Sequence, residues 1–326
     1  MAKPRVFVSR EIFPEFIDLI ASETDMELWP DELPPPRDVL LEKTQGVDGI
    51  LCLLTDKIDP EFMDNAGPQL KVISQIAVGF DNIDVPEATK RGIPVGNTPE
   101  VLTQTTADAT WALMLAAARR ITESERAIHA GDWRTWHPLH FLGHDVYGAT
   151  LGIIGMGRIG FEVAKRSMGF NMKILYYDVN RREDLEEELS MEFVDKDTLL
   201  AEADFVTLHT VLNDSTYHMM DDKAFAKMKS NAIIVNAARG PVIDPQALYR
   251  ALKDSTIAGA GLDVTEPEPI LMDDPLLQLE NCVIVPHIAS ASHTTRREMS
   301  SIAATNLLNG VKGEPLITCV NPEVYS

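Results

Sequence analysis

The chain has 326 residues, of which 45% are hydrophobic and 24% are charged. This balance is typical of a folded globular protein and excludes general disorder, and the length predicts two domains at roughly 150 residues each. With 50 acidic and 29 basic residues the formal net charge is −21, which argues against nucleic acid or an anionic membrane as a partner. A small anionic substrate remains compatible with this charge where cations are concentrated locally.

The amino terminus and the cysteine usage predict a cytoplasmic protein without a membrane anchor. Arg10 and Glu11 interrupt the first apolar residues, so no signal peptide is predicted. The most apolar stretch, 109–118, spans ten residues, whereas a membrane span needs about 20, and we interpret this stretch as a buried helix. The three cysteines lie far apart in the sequence, which favours reduced thiols over a disulfide framework.

Short β-like runs alternate with helical patterns in the first hundred residues, which predicts an α/β unit with a parallel sheet. The predicted elements are a strand at 6–8, a helix at 13–21 and strands at 49–54 and 71–78. Between 100 and 128, apolar residues recur every three to four positions, so this segment is predicted to be one long helix that starts at Thr98 and Pro99. A helix of this length between two α/β blocks indicates a domain boundary.

The alternation of strands and helices resumes after an aromatic-rich loop at 131–148. Six strands are predicted in this second block, the number found in a doubly wound dinucleotide-binding fold. They are placed at 150–154, 173–177, 205–209, 232–235, 259–264 and 283–285. His137, His140 and His144 lie in the aromatic loop, but no carboxylate cluster accompanies them, so no metal site is predicted.

A glycine-rich motif, GMGRIG at 155–160, directly follows the strand at 150–154 and opens a helix. Here the first glycine permits a tight turn, the second lets the backbone approach a pyrophosphate, and the third allows close packing of helix on strand. The N–H groups and the positive end of the helix would hold the phosphates. The alternative, a simple glycine-rich turn, is disfavoured by the strand and helix around it. The residues predicted to bind a dinucleotide here are Gly155, Gly157, Arg158, Ile159 and Gly160.

Asp178 lies 18 positions after Gly160, at the end of the strand at 173–177. This is close to the spacing at which a carboxylate binds the adenosine ribose hydroxyls. Its charge would repel a 2′-phosphate, so NAD is the predicted cofactor in preference to NADP. Arg181 and Arg182 follow closely and leave NADP possible. The alternative role for Asp178 is the N-cap of a helix that starts near 180.

Three later strands end in polar segments, NAARG at 236–240, DVTEPEP at 263–269 and PHIAS at 286–290. Ligands of open α/β sheets bind at the carboxyl ends of the strands. The sequence therefore predicts that an arginine, carboxylates and a histidine converge at one edge of the sheet.

The sequence resembles the D-2-hydroxyacid dehydrogenase family, and most closely its glyoxylate/hydroxypyruvate reductase branch, over nearly the whole chain. The segments that carry the resemblance are VGFDNID at 78–84, NTPEVL at 97–102, TADA at 106–109, the GMGRIG loop, ARG at 238–240, GLDV at 261–264 with EP at 268–269, and PH at 286–287. The family fold implies two doubly wound parallel-sheet α/β domains, in which a Rossmann dinucleotide-binding domain is inserted into a flavodoxin-like substrate domain. By this resemblance 99–287 form the dinucleotide-binding domain and 1–98 with 288–326 form the substrate domain, to which the last helix, near 293–311, returns.

The resemblance also implies roles for individual residues. Arg239 would bind a substrate carboxylate through its forked guanidinium, His287 would be the acid/base group, and Glu268 would be its carboxylate partner. Backbone N–H groups of Val78 and Gly79 would complete the substrate-binding set with Arg239 and His287. The residues assigned to the cofactor in addition to the glycine loop and Asp178 are Thr106, Ala237 and Asp263.

Each of these assignments has an ordinary structural alternative. Arg239 alone would usually be a surface ion-pair residue, Glu268 a solvated loop charge and His287 a structural histidine. Asp263 is nearly as compatible with an aspartate that stabilises a strand-end turn, and Thr106 with a buried helix threonine.

The resemblance implies an oxidoreductase that transfers a hydride from NAD(P)H to a short 2-oxo acid, glyoxylate or hydroxypyruvate, and gives the 2-hydroxy acid. The alternative is a dinucleotide-sensing binding protein like the family's transcriptional corepressors. The resemblance and the aromatic residues of the loop at 131–148 predict a homodimer, in which Trp136 reaches a neighbouring active site or, alternatively, is a core residue of one subunit. The acidic run at 183–188 is predicted to be a solvated helix face.

Overall fold

The computed structural model describes residues 2–326, and its backbone contacts divide them into two compact units. The first unit contains the residues up to Leu102 together with Ser292–Ser326, and the second contains Thr103–Ala291. The domain boundaries predicted after 98 and after 287 lie a few residues before these limits.

The first unit contains a parallel sheet that is built from the amino-terminal part of the chain. Its strands are β1 (Arg5–Val8), β2 (Asp25–Leu28), β3 (Gly49–Cys52), β4 (Val72–Gln75) and β5 (Val95–Gly96). Its helices up to this point are α1 (Pro14–Glu23), α2 (Arg37–Lys43), α3 (Pro60–Ala66) and α4 (Val85–Lys90). Within the described residues the strand order is β2-β1-β3-β4-β5. The sequence pattern does not predict β2, whose residues are only partly buried, or β5, which has two residues.

The second unit begins with two helices and continues as an alternation of strands and helices. Its helices are α5 (Thr103–Ala118), α6 (Ile121–Ala130), α7 (Arg158–Ser167), α8 (Glu183–Leu189), α9 (Lys196–Glu202), α10 (Asp222–Phe225) and α11 (Pro245–Lys253). Its strands are β6 (Thr150–Ile154), β7 (Lys173–Tyr177), β8 (Glu192–Phe193), β9 (Phe205–Leu208), β10 (Ile233–Asn236), β11 (Gly259–Leu262) and β12 (Cys282–Ile284).

The sheet of the second unit is parallel throughout and has the order β12-β11-β10-β9-β6-β7-β8 within 103–291. The strand order reverses at β6, which lies between β7 and β9, and such a switch point is where doubly wound sheets bind ligands. The prediction of six strands is wrong, because β8 adds a seventh at the edge and its two residues are too short to show a strand pattern. The predicted fold class, two parallel-sheet α/β domains, is confirmed.

The single helix predicted for 100–128 is also wrong. Glu100 has a φ of +71°, so the helix cannot include it and begins at Thr103 instead. Arg120, with a φ of +51°, separates α5 from α6. The N–H of His144 donates to the carbonyl of Ala118 at 2.8 Å, an acceptor that a continuous helix would use for its own backbone. A contact from a distant loop therefore ends a helix that the local pattern would extend.

The chain returns to the first unit in α12 (His293–Lys312), close to the predicted 293–311. The hydroxyl of Ser292 caps its first turn by accepting the N–H of Thr295 at 3.1 Å, and Gly313 ends it in the left-handed conformation. The helix packs against β3 and β4. Across residues 2–326, no helix combines the length and the apolar character that crossing a bilayer requires.

Candidate functional site

The glycine loop connects β6 to α7, at the switch point of the sheet. Gly155 has a φ of +97°, and a Cβ there would lie 2.6 Å from the backbone oxygen of His209, so glycine is required. A Cβ on Gly160 would clash with the oxygen of Gly155, whereas a Cβ on Gly157 would meet nothing within 4 Å. Gly157 is the N-cap of α7 and has no side chain to cap it. The loop therefore fits the pyrophosphate of a dinucleotide at the helix end.

Two buried polar groups lie next to this loop, at the end of β9. His209 Nε2 and Thr210 Oγ1 have no hydrogen-bond partner among residues 2–326. Burial lowers the pKa of His209 to about 4, so its imidazole is neutral near pH 7 and offers one donor and one acceptor. Because buried polar atoms are usually paired, both residues are candidates to contact a bound dinucleotide. Their place directly after a buried strand is the sequence signal that could have identified them.

Asp178 lies against the glycine loop. Its Oδ2 accepts the N–H of Met156 at 2.7 Å and its Oδ1 accepts the N–H of Asn180 at 3.0 Å. Helix α8 begins only at Glu183, with Arg182 as its N-cap. The alternative role of Asp178, as the N-cap of a helix near 180, is therefore wrong. The carboxylate therefore lies at the end of β7, in direct contact with the backbone of the glycine loop.

The other predicted cofactor residues lie on three different elements. Arg158 and Ile159 form the first turn of α7, and Ala237 directly follows β10. Thr106 is buried in the first turn of α5, where its carbonyl accepts the hydroxyl of Thr110 at 2.9 Å.

His287 and Glu268 form a close side-chain pair, in which Nδ1 lies 2.5 Å from Oε1. A carboxylate at Nδ1 fixes the orientation of the ring and sets which nitrogen exchanges a proton with a ligand. His287 follows β12 with a φ of +51°, a left-handed conformation that residues other than glycine rarely adopt. The two side chains are 30% and 41% exposed, so the pair is accessible to a small molecule.

Asp263, at the end of β11, holds the turn that carries His287. It is 1% exposed, and its two carboxylate oxygens accept the N–H groups of Ile288 at 2.7 Å and Ala289 at 3.0 Å. Its backbone oxygen accepts the N–H of His287 at 2.9 Å. Burial raises the pKa of the Asp263 carboxyl, and the two backbone hydrogen bonds oppose this effect. These contacts favour the turn-stabilising alternative for Asp263 over direct contact with a cofactor.

Arg239 lies in the turn after β10, and Asn236 shapes this turn. The Nδ2 of the buried Asn236 donates to the carbonyl of Arg239 at 2.8 Å, and its Oδ1 accepts the N–H of Ala238 at 3.0 Å. A Cβ on Gly240 would clash with the backbone oxygen of Thr265. The turn with Arg239 therefore packs directly on the segment that follows β11.

A second histidine–carboxylate pair ties these segments together. His218 Nε2 lies 2.6 Å from Glu266 Oε2, and the N–H of His218 donates to the carbonyl of Pro241 at 2.8 Å. His218 thereby connects the turn with Arg239 to the segment with Glu268. The sequence pattern does not identify this pair, whose members are 48 positions apart. The predicted arginine, glutamate and histidine all lie in segments at the carboxyl edge of β10, β11 and β12.

In the first unit, the segment after β4 has three successive carbonyl groups held by the protein. The carbonyl of Ala77 accepts the N–H of Thr98 at 2.8 Å. The carbonyl of Val78 accepts Nδ2 of Asn97 at 2.9 Å, and that of Gly79 accepts Nε2 of Gln75 at 2.6 Å. The C=O and N–H of a trans peptide point in opposite directions. The N–H groups of Val78, Gly79 and Phe80 therefore point away from these partners, and none has an acceptor among the described residues. Successive free N–H groups form a candidate anion-binding segment.

The loop at 131–148 exposes large apolar side chains to solvent. Its most exposed apolar residues are Trp133, Trp136, Leu139, Leu142 and Tyr147. Trp136 is 78% exposed, so the alternative in which it is a core residue of one subunit is wrong. The rings of His137 and His140 stack at 4.3 Å, and within residues 2–326 no group of three or more His, Cys, Asp or Glu side chains is arranged to hold a metal ion.

The second unit is thus a doubly wound α/β domain with a dinucleotide-binding loop and a polar edge that carries a histidine–glutamate pair and an arginine. Residues 111–289 match the family described as D-isomer specific 2-hydroxyacid dehydrogenase, NAD binding domain. The chain therefore belongs to the D-2-hydroxyacid dehydrogenase family, as its motifs indicate.

Relatives and solved structures agree with this placement. The chain is 54% identical over 323 residues to a glyoxylate reductase of Korarchaeum cryptofilum, covering 99% of this chain and 97% of that protein. A glyoxylate reductase structure from Paecilomyes thermophila has a TM-score of 0.87 and 35% identity, and the match covers 99% of this chain and 100% of that one. An NADPH-dependent glyoxylate/hydroxypyruvate reductase of Sinorhizobium meliloti, in complex with NADP and malonate, has a TM-score of 0.82 and 30% identity over 98% of this chain and 97% of that one.

Proposed function

We propose that this chain is a reductase that transfers a hydride from NADH to a short 2-oxo acid, glyoxylate or hydroxypyruvate, and gives the 2-hydroxy acid. The observation that carries the proposal is the pair of His287 and Glu268 at 2.5 Å, on the sheet edge that also holds Arg239 and the glycine loop. The names of the relatives support the substrate class.

Three side chains of the second unit share the chemistry in this proposal. His287 donates a proton to the carbonyl oxygen, and in the reverse direction it accepts the proton of the hydroxyl group. Glu268 is a positioning residue, which orients the imidazole and balances its charge when it is protonated. Arg239 binds the substrate carboxylate through two parallel hydrogen bonds. The nicotinamide cofactor, when bound, supplies the hydride.

The cofactor preference in this proposal follows from Asp178. The glycine loop holds the pyrophosphate, and Asp178 accepts hydrogen bonds from the adenosine ribose while its charge disfavours a 2′-phosphate. NAD is therefore the proposed cofactor. NADP remains the alternative, since a relative is NADPH-dependent.

An assay of NADH absorbance with a panel of 2-oxo acids tests the proposed function. We expect oxidation of NADH with glyoxylate or hydroxypyruvate, and none when the oxo acid is left out. If the chain binds NADH but turns over no acid of the panel, the proposal is overturned and a dinucleotide-sensing binding protein becomes the better interpretation.

Glu268→Gln should lower kcat for the reduction more than it changes KM. The substitution keeps the shape of the side chain but removes the carboxylate that lies at Nδ1 and orients the imidazole. We expect kcat to fall about tenfold, with little change in KM for the oxo acid. Steady-state kinetics at saturating NADH measure both quantities.

Glu266→Gln is the matched control for this prediction. It removes the same charge from the same segment, but from the carboxylate that pairs with His218. It is expected to lower kcat much less than Glu268→Gln does. Equal kcat values for wild type and Glu268→Gln would show that Glu268 does not position His287.

In the first unit, we assign the N–H groups of Val78 and Gly79 to the substrate carboxylate. Gln75 is a positioning residue for them, because its Nε2 holds the carbonyl of Gly79. Gln75→Met keeps the length of the side chain but loses this donor, and we expect KM for the oxo acid to rise about fivefold with little change in kcat. Steady-state kinetics at saturating NADH measure this difference.

Ser74→Ala is the control for Gln75→Met. Ser74 is the preceding residue of β4 and donates from its buried hydroxyl to the carbonyl of Ala303 at 2.8 Å, so its loss removes a buried hydrogen bond without touching the Val78 segment. Equal increases of KM in both variants would show a general effect of destabilisation.

We also propose that the chain forms a homodimer through the loop at 131–148. The exposed Trp133 and Trp136 support this proposal, since aromatic side chains are enriched in the cores of interfaces. Light scattering of the active protein at micromolar concentration distinguishes a dimer from a monomer of 36.1 kDa.

A further inference from the structure

Two arginines follow Asp178, and the first of them is committed to a structural network. Nε and Nη2 of Arg181 both donate to Glu186 at 2.8 Å, and Glu186 also accepts the hydroxyl of the buried Tyr176 at 2.6 Å. The hydrogen bonds from Arg181 and Tyr176 lower the pKa of Glu186 to about 2. The Arg181 guanidinium also lies over the ring of Phe193, 5.6 Å from its centre. Arg181 therefore anchors α8 to β7 and β8.

Arg182, in contrast, lies beside the glycine loop. Its Nη1 donates to the carbonyl of Met156 at 3.2 Å, and the N–H of the same Met156 donates to Asp178 at 2.7 Å. Nε and Nη2 of Arg182 donate to the two carboxylate oxygens of Asp184 at 2.9 and 2.7 Å. All three guanidinium nitrogens are thus engaged, two of them by Asp184. The hydrogen bond with Asp184 raises the pKa of Arg182, and that with Arg182 lowers the pKa of Asp184.

We propose that Asp184 is a specificity-determining residue, which disfavours NADP by holding the guanidinium of Arg182. The proposal rests on the proposed function, in which the adenosine ribose lies at Asp178. A 2′-phosphate on that ribose requires a cation close to Asp178. Arg182 and Asp178 both form a hydrogen bond with the backbone of Met156, so Arg182 is the arginine placed to meet this phosphate. Asp184, however, accepts two hydrogen bonds from the Arg182 guanidinium and offsets its charge.

Because the Arg182–Asp184 pair is exposed, we expect it to affect the binding of NADP more than the stability of the fold. The side chains of Arg182 and Asp184 are 36% and 61% exposed, and ion pairs of this kind contribute little to stability. A phosphate would have to displace an acceptor that is already in place and would also meet the negative charges of Asp184 and Asp178. Neutralising Asp184 removes one of these charges and releases a forked donor of the type that binds phosphate.

This role differs from the prediction that 183–188 is only a solvated helix face. Asp184 and Glu186 each bind one of the two arginines that precede α8. Glu188 is exposed and has no ion-pair partner among the described residues. The same helix therefore offers both the residue under test and a matched control.

The test is equilibrium binding of NADH and of NADPH, measured by calorimetry on wild type, Asp184→Asn and Glu188→Gln. In Asp184→Asn we expect the ratio of the NADPH Kd to the NADH Kd to fall about tenfold, because a charge-assisted hydrogen bond to the phosphate becomes available. Glu188→Gln removes the same charge from α8 and is expected to keep the wild-type ratio. Adding Arg182→Gln to Asp184→Asn should restore a ratio close to that of wild type.

Two outcomes overturn the proposal. If Asp184→Asn and Glu188→Gln give the same ratio, Asp184 has no effect beyond that of any charge on α8. If the double variant keeps the ratio of Asp184→Asn, the phosphate does not bind Arg182. A wild-type chain that binds neither dinucleotide would instead overturn the proposed function, so the two failures are distinguishable. Thermal unfolding of each variant establishes that it is folded.

Discussion

Replacing His287 by alanine is expected to lower kcat for the reduction of glyoxylate by roughly 10²- to 10⁴-fold, the range of general acid catalysis. The variant loses the group that protonates the carbonyl oxygen. It keeps Arg239 for the substrate carboxylate and Asp178 at the glycine loop. KM for the oxo acid and the Kd for NADH should therefore change much less than kcat. Steady-state kinetics and a titration with NADH separate these quantities.

His129→Ala is the control for this experiment, because His129 is exposed on α6, where its Nε2 lies 2.7 Å from Oε1 of Glu125. It should leave kcat unchanged. Near wild-type kcat in His287→Ala would remove His287 from the role of proton donor. A loss of NADH binding together with kcat would instead indicate that the turn held by Asp263 had collapsed.

Arg239→Lys is expected to raise KM for the oxo acid about 10- to 100-fold, since lysine keeps the positive charge but loses the two parallel donors. The Kd for NADH should change little. Arg250→Lys is the matched control, because Arg250 of α11 donates from Nε and Nη2 to the carboxylate of Asp222 on α10 at 2.9 and 2.7 Å. A fall in kcat with an unchanged KM would show that Arg239 acts in the transition state rather than in binding the carboxylate.

The sequence predicts from strand ends which segments lie together at one edge of the sheet. Each strand that precedes the segments of Arg239, Glu268 and His287 is a buried apolar run, and parallel strands bring their carboxyl ends to one edge. The glycine loop is recognised for the same reason, because its spacing and its position after β6 are both local properties. Asp178 also follows from spacing, while its hydrogen bond to Met156 needs the folded loop.

Sequence patterns do not identify residues whose position matters because of a hydrogen bond to one particular partner in the folded chain. The side-chain amides of Gln75 and Asn97 each donate a hydrogen bond to one backbone carbonyl, that of Gly79 and that of Val78. The sequence alone does not show to which carbonyl an amide side chain will donate. The same is true of Asp184, which looks like one more charge in an acidic run until its contact with Arg182 is known. The end of α5 depends on the N–H of His144, which lies well beyond the helix.

The first unit is built from both ends of the chain, and this has a consequence for the order of folding. Ser74 donates to a carbonyl 229 residues later, and Thr318 donates to the carbonyl of Asn97 at 2.6 Å. Because such distant contacts form late and chains emerge from the ribosome amino end first, the continuous second unit can fold while the first still lacks α12. The nascent chain is thus expected to complete its glycine loop early and to shape the Val78 segment only when synthesis is nearly finished.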